Sequence, residues 1–162
     1  MCDVPPFLPP MLNLDGEWND ILSLLYNIFV RDFKETKIYH RGIRIIYNGT
    51  IEPNGLDKEE GFWHVISKKD KTSGDRLIDY PRAKRLPWAK PLMESPKRQE
   101  IKIWQYREGT ADRGVRTYIW LEDYNYALIL QRKKNIYYWV TAFYIDLNWK
   151  KKDLQRKYEN RL

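Results

Sequence analysis

Four apolar, aromatic-rich segments crowded between residues 100 and 145 constrain this chain more than any other feature. Residues 100–106, 115–121, 126–132 and 136–145 are rich in Ile, Val, Trp and Tyr, with turn-like breaks between them. Strands this close in sequence leave no room for crossover helices, so they predict an antiparallel meander. Upstream, Trp18, Ile21, Leu22, Leu25, Ile28, Phe29 and Phe33 recur at helical spacing, which predicts one helix over 17–35 with Asp15 as its candidate cap. Residues 42–47 read as a short strand, and Asn48-Gly49 and Pro53-Asn54-Gly55 as turns. Residues 61–67 read as the next strand and 68–76 as a polar loop. Pro81, Pro87, Pro91 and Pro96 argue against a long regular element over 81–98, leaving space for a short helix around Arg82–Leu86.

The ends complete an α+β plan. Residues 1–16 carry four prolines and Gly16 and read as an extended arm laid on the domain surface. Residues 147–162 form a basic, amphipathic closing helix. Between them, a core over about 17–146 is expected to hold an N-terminal helix followed by a curved four- to five-stranded antiparallel sheet. There is no internal repeat, and 162 residues suit one domain.

Composition narrows the function classes. Hydrophobic residues make up 43% of the chain, enough for a core, so this is not a disordered polymer. Twenty-nine Lys and Arg against 22 Asp and Glu give a net charge of +7, which favours a polyanionic partner. Seven Trp and twelve Tyr add rings able to stack on unpaired bases, and that combination leans toward RNA. The single cysteine, Cys2, excludes a disulfide framework and a cysteine-based zinc site, and points to the cytoplasm. No apolar run approaches a membrane span, and the N-terminus lacks a signal-peptide pattern, so no membrane role is expected.

The residues able to carry chemistry are few. His40 lies in Tyr-His-Arg-Gly, and His64 in Gly-Phe-Trp-His-Val-Ile. If 61–67 is a strand, Phe62, His64 and Ile66 share one face and Trp63 and Val65 the other; a hydrogen-bonded sheet histidine is the structural alternative to a catalytic one. Residues 81–104 hold Arg82, Lys84, Arg85, Lys90, Lys97, Arg98 and Lys102 against Glu94 and Glu100, seven minus two or +5, interleaved with Trp88 and Trp104. Arginines beside aromatics suit phosphate clamping and base stacking, with a solvated loop as the alternative. Arg113 and Arg116 flank Gly114 ahead of a strand, where an arginine can neutralise a phosphorane or pair with Glu122 or Asp123. Thr141 and Phe143 share one face of the last strand and Ala142 and Tyr144 the other; twist or a bulge could bring Thr141 and Tyr144 to one rim. Asp57, Glu59 and Glu60 read as a charged turn rather than a two-metal nuclease cluster. No phosphate loop, GxSxG, HExxH or EF-hand pattern occurs, so neither a metal nor a cofactor is expected.

In order, Phe62-Trp63-His64-Val65-Ile66, Arg82-Ala83-Lys84-Arg85-Leu86-Pro87-Trp88, Arg116-Thr117-Tyr118-Ile119 and Val140-Thr141-Ala142-Phe143-Tyr144 resemble the barnase–EndoU–colicin–RelE-like (BECR) nuclease superfamily, closest to its phage and bacterial type. The resemblance covers roughly residues 40–146. It implies helices followed by an antiparallel sheet, and an endoribonuclease that cuts RNA without metal, often as a toxin. It places His64, Arg85, Arg116, Thr141 and Tyr144 in the catalytic site. Arg82, Lys84, Trp88, Trp104 and Arg113 are the candidate substrate-binding residues. The chain departs from the pattern in having no second strand histidine other than His40, and no barnase-like glutamate. Such an enzyme needs no nucleophile of its own, because the RNA 2′-hydroxyl attacks to leave a 2′,3′-cyclic phosphate. It needs a base, an acid and positive charge, and His64 can serve as either acid or base. An acidic antitoxin or immunity protein is the partner such a toxin implies. A non-catalytic RNA-binding or phage regulatory protein is the alternative reading. The RNA itself, whether messenger, transfer or ribosomal, is left open.

Overall fold

The computed structural model describes residues 4–51, 55–94, 97–109 and 114–162; Cys2, the Pro53-Asn54 part of the expected turn, Pro96 and Arg113 lie outside them. The chain is α+β, with an N-terminal helix, a mixed six-stranded sheet and a C-terminal helix. Helix α1 spans Trp18–Phe29 and continues as a π-helical turn over Val30–Lys34. Ile21, Leu22, Leu25, Phe29 and Phe33 are buried along the stripe that the spacing predicts. Glu17, not Asp15, occupies the N-cap position, and its side chain makes no capping bond.

Strands β1 (Ile38–His40) and β2 (Ile43–Ile46) form a tight hairpin. Strands β5 (Lys102–Arg107), β6 (Val115–Leu121), β7 (Tyr126–Lys133) and β8 (Ile136–Tyr144) form the expected antiparallel meander. The order is β1-β2-β8-β7-β6-β5. Among the described residues the one departure from antiparallel pairing is β2 on β8, with Arg44, Ile45 and Ile46 opposite Ile136, Tyr137 and Tyr138. The sequence reading of four to five antiparallel strands misses this, because joining the hairpin to β8 is a long-range event that no local pattern records.

Residues 61–66 are helical, where a strand over 61–67 is expected; only Ser67 is extended. Helix α2 spans Glu60–Ile66, and Phe62, Val65 and Ile66 are buried at helical spacing. A short apolar run satisfies either period, and here packing against the core selects the helix. Ser67–Lys69 (β3) then pairs with Arg76–Ile78 (β4) in a small separate hairpin, where a plain loop was expected.

Prolines shape the next segment without abolishing it. Helix α3 spans Tyr80–Lys84, capped by the Asp79 carboxylate, which accepts from the Arg82 N–H at 3.3 Å. Helix α4 runs Leu86–Glu94 despite Pro91, and buries Leu86, Trp88, Ala89, Leu92 and Met93. The lost backbone bond at Pro91 is offset by that burial. The N-terminal arm lies over these helices: Leu8 and Leu14 are buried, the Leu12 N–H donates to the Lys84 carbonyl at 2.9 Å, and Trp88 Nε1 donates to the Pro9 carbonyl at 2.8 Å.

The sheet therefore has two covered faces. One packs against the arm and α1–α4 through Ile119, Leu121, Tyr126, Leu128, Leu130, Tyr137, Trp139 and Ala142. The other carries Trp104, Tyr118, Trp120, Ala127 and Ile129, which meet Leu154 of helix α5 (Asn148–Glu159). Tyr118 donates to Glu108, and Lys157 of α5 bonds both, Glu108 at 3.3 Å and the Tyr118 hydroxyl at 3.1 Å. This partly buried trio pins α5 to the sheet. Among the described residues no helix is long and apolar enough to cross a membrane.

Candidate active site

Because α2 is a helix, Phe62, Val65 and Ile66 turn inward while Trp63 and His64 stay half-exposed on its outer side. Gly61 allows this docking. Its N–H donates to the Asn48 carbonyl at 2.9 Å, and a Cβ there would stand 3.0 Å from that same oxygen and 3.1 Å from the Tyr47 side chain. Glu59, at the N-cap position of α2 and buried, accepts from Tyr26 at 2.6 Å and Tyr47 at 3.4 Å, with Lys34 Nζ at 3.4 Å. The first helix with its π-helical turn, and the residue that follows β2, thereby fix where α2 begins.

Arg82 fixes where α2 ends. Its Nη1 donates to the carbonyls of His64 at 3.0 Å and Ser67 at 2.8 Å, and its guanidinium pairs with Asp79 at 3.5 Å. The expected phosphate clamp is thus a structural clamp: the side chain is largely buried and its donors are turned onto the C-terminal carbonyls of α2.

His64 stands where two surface hollows meet. The larger, about 630 Å³, is walled by Trp18 of α1, the turn Gly55–Lys58, Glu60 and Trp63 of α2, and Lys69, Asp75 and Arg76 of the β3–β4 hairpin. The smaller, about 320 Å³, has Asn48, Arg116, Gln131, Lys133, Tyr138 and Val140 around the same imidazole. Glu60 lies one helical turn before His64, and Asn48 Nδ2 donates to its Oε2 at 2.6 Å. Asn48 on the smaller hollow thus holds a carboxylate that lines the larger one. Burial, Arg76 and Arg82 lower the His64 pKa, while Glu60 opposes them, so the imidazole is neutral at neutral pH. Burial and Glu60 raise the Tyr138 pKa, which keeps its hydroxyl protonated.

The cations around these hollows are arranged against one another. Lys69 and Arg76 sit directly opposite across the β3–β4 hairpin. Like charges in that relation are destabilising, so an anion between them would relieve the pair. Arg76 is anchored from behind, with Nε donating to Ser67 Oγ at 2.8 Å and Nη2 to the Ser67 carbonyl at 3.0 Å. On the other side, Arg116 is oriented by Gln131 at 3.2 Å; it does not pair with Glu122, which is held by Lys102 at 2.5 Å.

The remaining expected site residues go elsewhere. Arg85 donates to the Pro81 carbonyl at 2.7 Å and stacks over the Tyr144 ring at 4.1 Å and the Trp88 ring at 5.4 Å. Thr141 lies on the α5 side of β8, opposite Ile129. The bulge in β8 falls at Val140, ahead of both hydroxyls, so Thr141 and Tyr144 still alternate and reach different faces. Neither hollow is lined by Arg85, Thr141 or Tyr144. Lys84 is exposed on α3. Trp88 and Trp104 are core residues, 0% and 4% exposed, and cannot stack on a base. The charge of residues 81–104 is likewise dispersed: Arg98 lies over Phe7 at 4.0 Å and Lys102 over Tyr158 at 4.7 Å. His40 is buried, its Nδ1 donating to the Met93 carbonyl at 2.8 Å, so it lines neither hollow. Glu60, Asn48, Lys69, Arg76 and Tyr138 are the residues that the sequence reading passed over.

No protein-family model, no curated protein and no solved structure matches this chain.

Proposed function

We propose that this protein is a metal-independent endoribonuclease centred on His64. The observation that carries the reading is the position of that imidazole between two cation-lined hollows, with Glu60 one turn away on the same helix. A bound phosphodiester would lie across His64, with Lys69 and Arg76 on one side and Arg116 and Lys133 on the other. Neutral His64 accepts the proton of the RNA 2′-hydroxyl as its oxygen attacks phosphorus. The bond to the 5′-oxygen breaks, leaving a 2′,3′-cyclic phosphate, and the Tyr138 hydroxyl returns a proton to the departing oxygen. The resemblance to the BECR superfamily, the net charge of +7 and the aromatic content support the same reading. A toxin role, with an acidic antitoxin covering the basic hollows, belongs to this proposal.

A non-catalytic RNA-binding protein is the second reading. It is favoured by the absence of Arg85, Thr141 and Tyr144 from both hollows, since that leaves the site with only His64 and Arg116 of the five catalytic residues the resemblance implies. The test is cleavage of end-labelled RNA in EDTA by the wild-type protein, His64→Ala and Tyr138→Phe. Cyclic-phosphate ends from the wild type, with losses of about 10²–10⁴-fold in the variants at retained binding, support the enzyme. Binding without cleavage by the wild type supports the second reading, and equal cleavage by all three overturns the role of His64.

A further inference from the structure

The larger hollow is asymmetric, and its two walls have different chemistry. Lys69, Asp75 and Arg76 form the charged wall. Trp18, Leu56 and Trp63 supply the apolar wall, with Lys58 and Glu60 among them in sequence. Trp18 is 40% exposed and Leu56 58% exposed, large apolar groups left in water at the mouth of a hollow. Neither is needed by the acid–base chemistry at His64.

The apolar wall is held in place. Trp63 Nε1 donates to the Gly55 carbonyl at 3.0 Å, and its ring packs edge-on against the buried Phe62 at 5.3 Å. The Gly55–Lys58 turn closes with the Lys58 N–H donating to the Gly55 carbonyl at 3.0 Å. Its two central residues, Leu56 and Asp57, have φ of +54° and +60°. Two consecutive non-glycine residues in the left-handed region are costly, and such strain persists where the surroundings over-determine it. Leu56, in this turn, lines the hollow together with Trp63 and Trp18.

We propose that this wall is a nucleobase subsite, and that the protein therefore engages RNA whose nucleotide next to the His64-bound phosphate is unpaired. A ring slotted against Trp18 and Trp63 leaves its ribose phosphate toward Lys69 and Arg76, so one nucleotide satisfies both walls. A hollow of about 630 Å³ lies within the range of about 300–1,000 Å³ that suits such ligands. A duplex cannot use the wall, because its bases are stacked and paired and must be splayed out to reach it. The inference rests on the ribonuclease reading only for where the phosphate sits.

The test uses full-length His64→Ala protein, alone and with Trp18→Ala or Trp18→Phe, and fluorescence anisotropy with a labelled unstructured RNA strand and the same strand in a duplex. Trp18→Ala is expected to weaken single-strand binding by about 5- to 100-fold, Trp18→Phe to keep most of it, and duplex binding to change less than about twofold. Unchanged melting temperatures confirm that the exposed ring is not structural. Equal single-strand affinity with and without Trp18, or equal losses for strand and duplex, overturns the subsite. Failure of the wild type to cleave RNA, with the Trp18 effect present, removes the enzyme and leaves the subsite standing; cleavage without a Trp18 effect does the reverse.

Discussion

The Arg82 guanidinium donates to the main-chain carbonyl of His64 at 3.0 Å, so a residue eighteen positions downstream sets the end of the helix that carries the candidate catalytic imidazole. Its second bond, to the Ser67 carbonyl at 2.8 Å, ties the same arginine to the start of β3. Arg82 thereby joins α3, α2 and the cation-bearing hairpin in one largely buried contact.

Removal of that contact is expected to cost stability before it touches chemistry. Arg82→Ala takes the guanidinium from the His64 carbonyl, from the Ser67 carbonyl, which keeps Arg76, and from Asp79, which keeps the main-chain N–H, a loss of about 1–3 kcal/mol. Urea denaturation of the two proteins measures it. Arg82→Lys should recover only part, since an ammonium at the Nη1 position can meet the two carbonyls but leaves out the Nε side of the guanidinium that faces Asp79. A loss under about 0.5 kcal/mol, typical of a surface substitution, would mean that the clamp is not structural.

Gly61→Ala sets two effects against each other. Helix propensity favours Ala by about 1 kcal/mol. The new Cβ would stand 3.0 Å from the Asn48 main-chain oxygen, and overpacking of this kind costs about 1–3 kcal/mol. Because the obstacle is backbone, the clash is expected to win and the variant to melt lower. A rise in melting temperature would show that α2 can shift without cost.

Glu59 makes a prediction about coupling. Tyr26 donates to its Oε1 at 2.6 Å, and the carboxylate is buried. A double-mutant cycle of Tyr26→Phe and Glu59→Gln should give a coupling energy of about 1–2 kcal/mol. Additive losses would mean that the two groups act independently.

Acid stability follows from two histidines. Burial lowers the pKa of His40 and of His64 below the ordinary value. For a depressed group the unfolded chain takes up the proton first, so stability present above about pH 6.5 falls as the pH drops below it. His40 should dominate, because its Nε2 is buried with no hydrogen-bond partner and a proton there would bury an uncompensated charge. His40→Gln is expected to be less stable at neutral pH yet to show a flatter acid limb in denaturation curves taken across pH. An acid limb unchanged by His40→Gln would place the titration elsewhere.

Trp88 separates the two readings of the basic segment. As a core ring with no exposure, Trp88→Ala should cost about 3–5 kcal/mol. Any loss of RNA binding should then track loss of folding in calorimetry. A folded Trp88→Ala protein with selectively weakened RNA binding would restore the stacking role.

How much was legible divides by distance along the chain. The four strands over 100–145, the first helix, the closing helix and the arm were readable, because periodicity and turn chemistry are local and each segment is long enough to show only one period. His64 and Arg116 were readable as candidates by residue type, and they do line one hollow. Arg82, Arg85, Trp88 and Trp104 have the right chemistry for binding, but charge and ring type say nothing of which way a side chain faces. All four turn inward to carbonyls, to other rings or to the core.

Local patterning and composition are enough to specify an aromatic, basic α+β chain with a meander at its centre. Long-range packing makes residues 60–66 coil rather than extend, since Phe62, Val65 and Ile66 find their partners in the core at helical spacing. That one choice turned His64 outward and set Glu60 one turn behind it. Docking of α2 beside the β3–β4 hairpin and β8 then brought Arg76 and Arg116 to the two hollows that the imidazole lines. Burial makes the choice: a short segment with four large apolar residues is compatible with two backbones, and the free energy that selects one resides in contacts with residues far away in sequence.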